Sequence, residues 1–131
     1  MRRFVSGLIL AVLVACTEST GPTTSLAGNW SGTISSVLYG NGAMAFTLAQ
    51  SSKALSGTWS ATFANAANND SGSLSGNVSG SAVSIVLTPS NPFTCPFNVT
   101  ATLSGSTSMS GTYAAFNCTV AASGTFVAAK Q

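Results

Sequence analysis

Leu55-Ser56-Gly57-Thr58-Trp59-Ser60-Ala61-Thr62-Phe63 alternates without interruption. Leu55, Gly57, Trp59, Ala61 and Phe63 fall on one side, and Ser56, Thr58, Ser60 and Thr62 on the other. A period of two marks a strand with one face buried and one face wet. A helix would instead bring apolar residues together three and four apart, and no such stripe of useful length occurs after the first sixteen residues.

The rhythm continues in both directions. Upstream, Met44, Phe46 and Leu48 alternate with Ala45, Thr47 and Ala49. Downstream, Val83, Ile85 and Leu87 alternate with Ser84, Val86 and Thr88, and Phe97, Val99, Ala101 and Leu103 with Asn98, Thr100, Thr102 and Ser104. One phrase recurs as Leu55-Ser56-Gly57-Thr58-Trp59, Leu74-Ser75-Gly76-Asn77-Val78 and Met109-Ser110-Gly111-Thr112-Tyr113, with partial copies at Ala27-Gly28-Asn29-Trp30 and Ser123-Gly124-Thr125-Phe126. The spacing between copies is irregular, which excludes a solenoid. It is one type of strand reused along a meander.

The pattern predicts eight strands, at 29–37, 43–50, 54–63, 72–79, 82–88, 96–104, 107–115 and 122–129. Tight links fall at 51–53, 80–81 and around Ser106. Longer ones fall at 39–42, 64–71, 89–95 and 116–121. Successive connections of an up-and-down meander lie at opposite ends, so every long loop is expected at one end and every tight turn at the other. The predicted fold class is all-β, an eight-stranded antiparallel up-and-down β-barrel. Closing the first strand on the last removes both edges, which a nearly uncharged sheet could not otherwise protect. A β-sandwich is the alternative that short strands at this spacing also allow. The outward face is Ser and Thr, without the apolar band and aromatic girdles of a membrane-spanning barrel, so the barrel is expected to be soluble.

Trp30, Ile34, Phe46, Trp59, Ile85, Val99 and Phe126 belong to the inward set, with Leu55, Phe63, Val78, Phe97, Leu103, Met109 and Tyr113. Inward aromatics ordinarily pack a core. The inward Gly32, Gly57, Gly76, Gly111 and Gly124 either make room for a ligand or let the sheet coil tightly. The residue pattern does not separate a pocket from a plug, although packing is the more economical reading.

Charge narrows the function. The chain has 4 Lys and Arg, 2 Asp and Glu, and no His. Nothing clusters into a basic patch, so nucleic acid is not an expected partner. No histidine is present to activate a serine, and Glu18 and Asp70 cannot form a rigid carboxylate pair. No metal site, cofactor or catalytic residue is expected, and the protein reads as non-catalytic. With no counter-charge foreseen inside, a ligand should be small, uncharged and largely apolar. Its expected place is the long-loop mouth, at Tyr39, Phe63, Phe93 and Tyr113, reached past Asn41, Asn65, Asn68 and Asn69. The alternative is a structural or interaction protein with a solid barrel and no small-molecule ligand.

Cys95 and Cys118 flank the predicted hairpin 96–104/107–115 and would lie nearly opposite each other just past its ladder. In an exported chain such a pair is most simply a disulfide.

Residues 1–15 have the form of an export signal: Arg2 and Arg3, then an apolar run from Leu8 to Ala15 that is too short to span a bilayer. Leu13-Val14-Ala15-Cys16 resembles the lipobox of bacterial lipoproteins. The resemblance implies cleavage after Ala15, lipidation of Cys16 and a lipid anchor in the bacterial cell envelope, and Thr17 in place of aspartate favours the outer membrane. Residues 16–25 then form the lipidated cysteine and a polar tether broken by Gly21-Pro22, and 26–131 the barrel domain. The resemblance implies the membrane as a partner through Cys16; the barrel reading adds a small apolar ligand or peptide, or else an envelope protein. Gly28-Asn29-Trp30 with Leu55-Ser56-Gly57-Thr58-Trp59 resembles the calycin superfamily, nearest to avidin-like and lipocalin-like barrels. Avidins set polar groups for biotin where this chain has Gly32 and Ala61, so the resemblance implies the architecture and no binding residues.

Overall fold

The computed structural model describes residues 25–131. The leader, Cys16 and the tether through Thr24 lie outside the described residues. The strands are β1 (Gly28–Ser36), β2 (Gly40–Ser51), β3 (Ala54–Phe63), β4 (Asp70–Ser79), β5 (Ala82–Pro89), β6 (Phe97–Ser104), β7 (Ser108–Ala115) and β8 (Ser123–Lys130). They close into one barrel in chain order. β1 is antiparallel to β2 on one side and to β8 on the other, with Ile34 opposite Gly42 and Phe126. Closure overturns the sandwich alternative: among the described residues no strand is left with an unpaired edge.

Three strands begin earlier than their sequence suggests. β1 starts at Gly28, one residue ahead. β2 starts at Gly40, where Gly40, Asn41 and Gly42 pair with Ser36, Ser35 and Ile34. β4 starts at Asp70, opposite Ala61. Asp70 is therefore part of the barrel wall and not of a loop, as the sequence had suggested.

Closing so small a barrel demands strong coiling, and glycine supplies it. Gly57 has φ +147°, and a Cβ there would overlap the Thr47 carbonyl oxygen of β2. The glycine answers the close approach of a neighbouring backbone. Inward glycine in this barrel bends the wall more than it empties the interior.

The tight-turn end and waist are packed solid. Trp30, Leu26, Ile85, Met109, Val78 and Val83 are the largest fully buried side chains. Leu26 lies ahead of β1 and still has no exposed surface. Its amide donates to Gln50 Oε1 at 2.7 Å, and its carbonyl accepts from Trp30 Nε1 at 2.8 Å. Beside it Lys130 Nζ donates to the Ser25 carbonyl at 3.0 Å, and the Gln131 amide to the Asn29 carbonyl at 2.8 Å. Both ends of the described chain are thus stitched together beneath the barrel, with Leu26 as the stopper. Among the described residues no helix is long and apolar enough to cross a membrane.

Candidate functional site

The links 37–39, 64–69, 90–96 and 116–122 meet at the opposite end, the first no longer than the 105–107 turn, and short polar side chains shape them. Ser36 Oγ accepts from the Leu38 and Tyr39 amides, each at 3.2 Å, and turns the chain between β1 and β2. Asn65 Oδ1 caps a single 3-10 turn (Ala66–Asn68) by accepting from the Ala67 amide at 3.1 Å. Asn69 Oδ1 accepts from the Phe63 amide at 2.7 Å, and Asn91 Oδ1 from the Phe93 amide at 3.0 Å. These are side chains mimicking backbone turns. Asn65 and Asn69 are therefore committed to their own loops, and of the asparagines expected at the approach only Asn68 and Asn69 reach the cavity wall.

The Cys95–Cys118 disulfide ties the β5–β6 loop to the β7–β8 loop, with the two Cα atoms 5.9 Å apart. Next to it the Phe116 amide donates to the Pro96 carbonyl at 3.1 Å. The hairpin of β6 and β7 brings the cysteines together, as its spacing predicts.

Below these loops lies a cavity of about 300 Å³. That is the lower end of the range for small-molecule pockets. Tyr39, Phe63, Phe93 and Tyr113, the residues expected at the mouth, all stand on its wall, together with Trp59, Phe97, Phe46 and Val99. Phe97 packs edge-on between Trp59 and Tyr113, with centroid distances of 6.1 and 5.8 Å. Tyr39 meets the edge of Phe63 at 5.7 Å. Phe93 is 94% exposed and projects from the rim. Val37, Leu38 and Val120 are exposed on the same loops, so the opening is apolar at its lip as well as within.

Besides Ser36, Ser60, Asn68, Asn69 and Thr94, three polar groups interrupt this apolar wall. Trp59 Nε1 and Tyr113 Oη are buried without a hydrogen-bond partner. Burial pushes the Tyr113 phenol up from its ordinary value; the nearby Ser36 hydroxyl opposes the shift and Tyr39 adds to it. Ser36 nevertheless completes no hydrogen bond of good geometry to the phenol oxygen. The third group is Asp70. Burial raises its carboxyl above the ordinary carboxylate range, while the Ser71 amide and the neighbouring Thr94 hydroxyl pull it back. The expectation of an interior without charge is thus corrected. The inward alternation of Val78, Gly76 and Leu74 runs on through Gly72 to Asp70, and the sequence carried that signal two residues past the predicted start of β4.

Among the described residues no three metal-capable side chains stand together. Trp59, Phe97, Leu87 and Asp70 line the same cavity as Tyr39, Phe63, Phe93 and Tyr113 and were not in the sequence-based expectation of the ligand's place.

No family model matches the chain, and no curated protein matches it. Among solved structures it is similar to EF1p2_mFAP2b bound to DFHBI, at a TM-score of 0.69 and 13% identity, over 81% of this chain and 94% of that one. It is also similar to a redesigned β-barrel, b11L5F_LGL, at a TM-score of 0.67 and 14% identity, over 81% of this chain and 91% of that one. Identity this low carries the fold alone. The class so defined is an eight-stranded antiparallel β-barrel, closed at one end and hollow at the other.

Proposed function

We propose that the protein is a non-catalytic binding barrel that takes one small, largely apolar molecule through its long-loop mouth, and that it acts as a lipid-anchored protein of the bacterial cell envelope. The observation that carries the binding reading is the cavity: about 300 Å³, aromatic in its lining, and lying above a lower half that is packed with side chains. A solid spacer would have its core side chains meet at both ends, and here they meet at one. A similar barrel bound to DFHBI supports the reading by showing the architecture in a liganded protein.

The anchored role is supported by Leu13-Val14-Ala15-Cys16 and by the direction in which the described chain leaves the barrel. Ser25 departs at the stoppered end, beside Lys130. An anchor on Cys16 therefore leaves the mouth facing away from the lipid, towards the outer-membrane-bounded compartment or an envelope protein. The apolar lip of Leu38, Phe93 and Val120 favours such a protein contact as a second use of the same end.

Native mass spectrometry of protein taken from its own envelope tests both parts. The expected result is a retained small molecule, and a protein mass that carries a diacyl- or triacyl-modified Cys16 in place of residues 1–15. An empty barrel that also fails to take up apolar probes would overturn the binding reading. An unmodified Cys16 would overturn the anchor.

A further inference from the structure

The side-chain charges of the barrel are sorted by end. Lys53 lies in the tight turn between β2 and β3, and Lys130 at the last residue of β8, both at the stoppered end. Asp70 is the first residue of β4, at the mouth. It shares its inward face with Leu74 and Val78 and sits across from Ala61, whose side chain is only a methyl group. Phe63 and Trp59 flank Ala61 on the same inward face of β3.

The carboxylate has hydrogen-bonding capacity to spare. Oδ1 accepts from the Ser71 amide at 2.9 Å. The Thr94 hydroxyl beside it donates to the Asn91 carbonyl at 2.9 Å. No lysine or arginine contributes to the displacement of its pKa. A partly buried carboxylate held by the Ser71 amide and the neighbouring Thr94 hydroxyl, with no cation beside it among the described residues, keeps lone pairs free for a charged partner. Tyr39, Phe63 and Phe93 stand on the wall of the same cavity. Aromatic faces beside a carboxylate are the usual surroundings of a bound organic cation.

We propose that the cavity selects a molecule joining an apolar body to a single cationic centre, an alkyl- or arylammonium, with the charged end at Asp70 near the mouth and the body against Trp59 and Phe97. This rests on the cavity being a binding site and specifies its ligand class. An anion would meet Asp70 with no cation on the wall to hold it. A neutral molecule would fill the apolar depth and leave Asp70 unpaired. The cation does both tasks, and the lysines at the far end favour its approach from the open one.

The test is calorimetric titration of the full chain in phosphatidylcholine nanodiscs, with empty discs as the blank. The probes are 4-phenylbutylamine, 4-phenylbutanol and 4-phenylbutyrate. The amine is expected to bind roughly tenfold more tightly than the alcohol, the scale of one charge-assisted contact in a half-wet site, and the carboxylate most weakly. Asp70→Asn, which keeps an acceptor for the Ser71 amide, is expected to bring the amine and the alcohol to the same affinity. An amine that binds the unaltered protein no better than the alcohol overturns this inference and leaves the cavity reading standing; that comparison needs no variant. So does a preference that survives Asp70→Asn. Failure of all three probes to bind overturns the cavity reading, and this inference with it.

Discussion

Asp70 shares the inward face of β4 with Leu74 and Val78, and burial holds its carboxyl above the ordinary carboxylate range. A raised folded pKa means the ionised side chain opposes folding. Its contribution to stability is fully present below the unfolded pKa of about 4 and is lost as pH rises through the folded value. Asp70→Asn is therefore expected to stabilise the barrel at pH 7, by no more than about 1 kcal/mol once solvent screening is allowed for. It should also flatten the fall in stability above about pH 4, both read from urea midpoints across pH. A loss of stability at pH 7 would contradict the sign. Gly57 acts through backbone. With φ +147° and a Cβ that would overlap the Thr47 carbonyl oxygen, Gly57→Ala must both strain its own dihedral and push β2 away. A cost above about 2 kcal/mol is expected by urea unfolding, against the gain that replacing glycine brings where the backbone is compatible. Both residues were visible in the sequence but carried no label. Gly57 read equally as room or as curvature, because the distance to the next strand is a tertiary quantity. Asp70 read as loop, because a charged residue ordinarily ends an inward run.

The strands themselves were legible because Ser and Thr on one face contrast sharply with Leu, Val and aromatics on the other, and a slip of one residue would reverse the two faces. β3 runs over the span predicted for it, Ala54–Phe63. β2 was misjudged at its start, since Gly40, Asn41 and Gly42 hold no apolar side chain; they are strand because the end of β1 lies opposite. The disulfide was legible from the β6–β7 hairpin. It constrains two mouth loops that have little buried surface of their own. Replacing Cys95 and Cys118 by serine is expected to cost about 3 kcal/mol in urea unfolding with the far-ultraviolet spectrum preserved, since the closed loop mainly restricts the unfolded chain. A variant as stable as the parent would show that the two loops hold their places without the bridge. Leu26 was not legible as a stopper, because it stands in a polar stretch ahead of the first strand. Leu26→Ala is expected to cost about 2–5 kcal/mol, as for other fully buried leucines, and a change below 1 kcal/mol would mean that Trp30 closes the barrel unaided.

At the scale of the molecule, the barrel has a stoppered end that carries Lys53, Lys130 and the departing chain, and an open end that carries Asp70, the disulfide and an apolar lip. The division of loops by length was legible for three of the four mouth links; the fourth, 37–39, is no longer than the 105–107 turn, because 40–42 belong to β2. The emptiness of the upper half was not, because it depends on how tightly the wall coils and how far inward side chains reach across it. The two ends give the proposed anchor a direction. Two lysines near an anionic surface supply about 1 kcal/mol each at most, too little to hold the protein there without acyl chains. They are enough, however, to favour the stoppered end over the mouth once a lipid on Cys16 has brought the barrel within a Debye length. With the lipidated chain on anionic liposomes, paramagnetic lipid headgroups are expected to broaden amide signals from the turns at 52–53, 80–81 and 105–107 and to spare Asn68 and Phe93. Substituting Cys16 by serine should release the protein from the liposomes. Broadening of Asn68 and Phe93 with the turns spared would mean that the apolar lip lies in the bilayer, and would close the mouth to any ligand arriving from water.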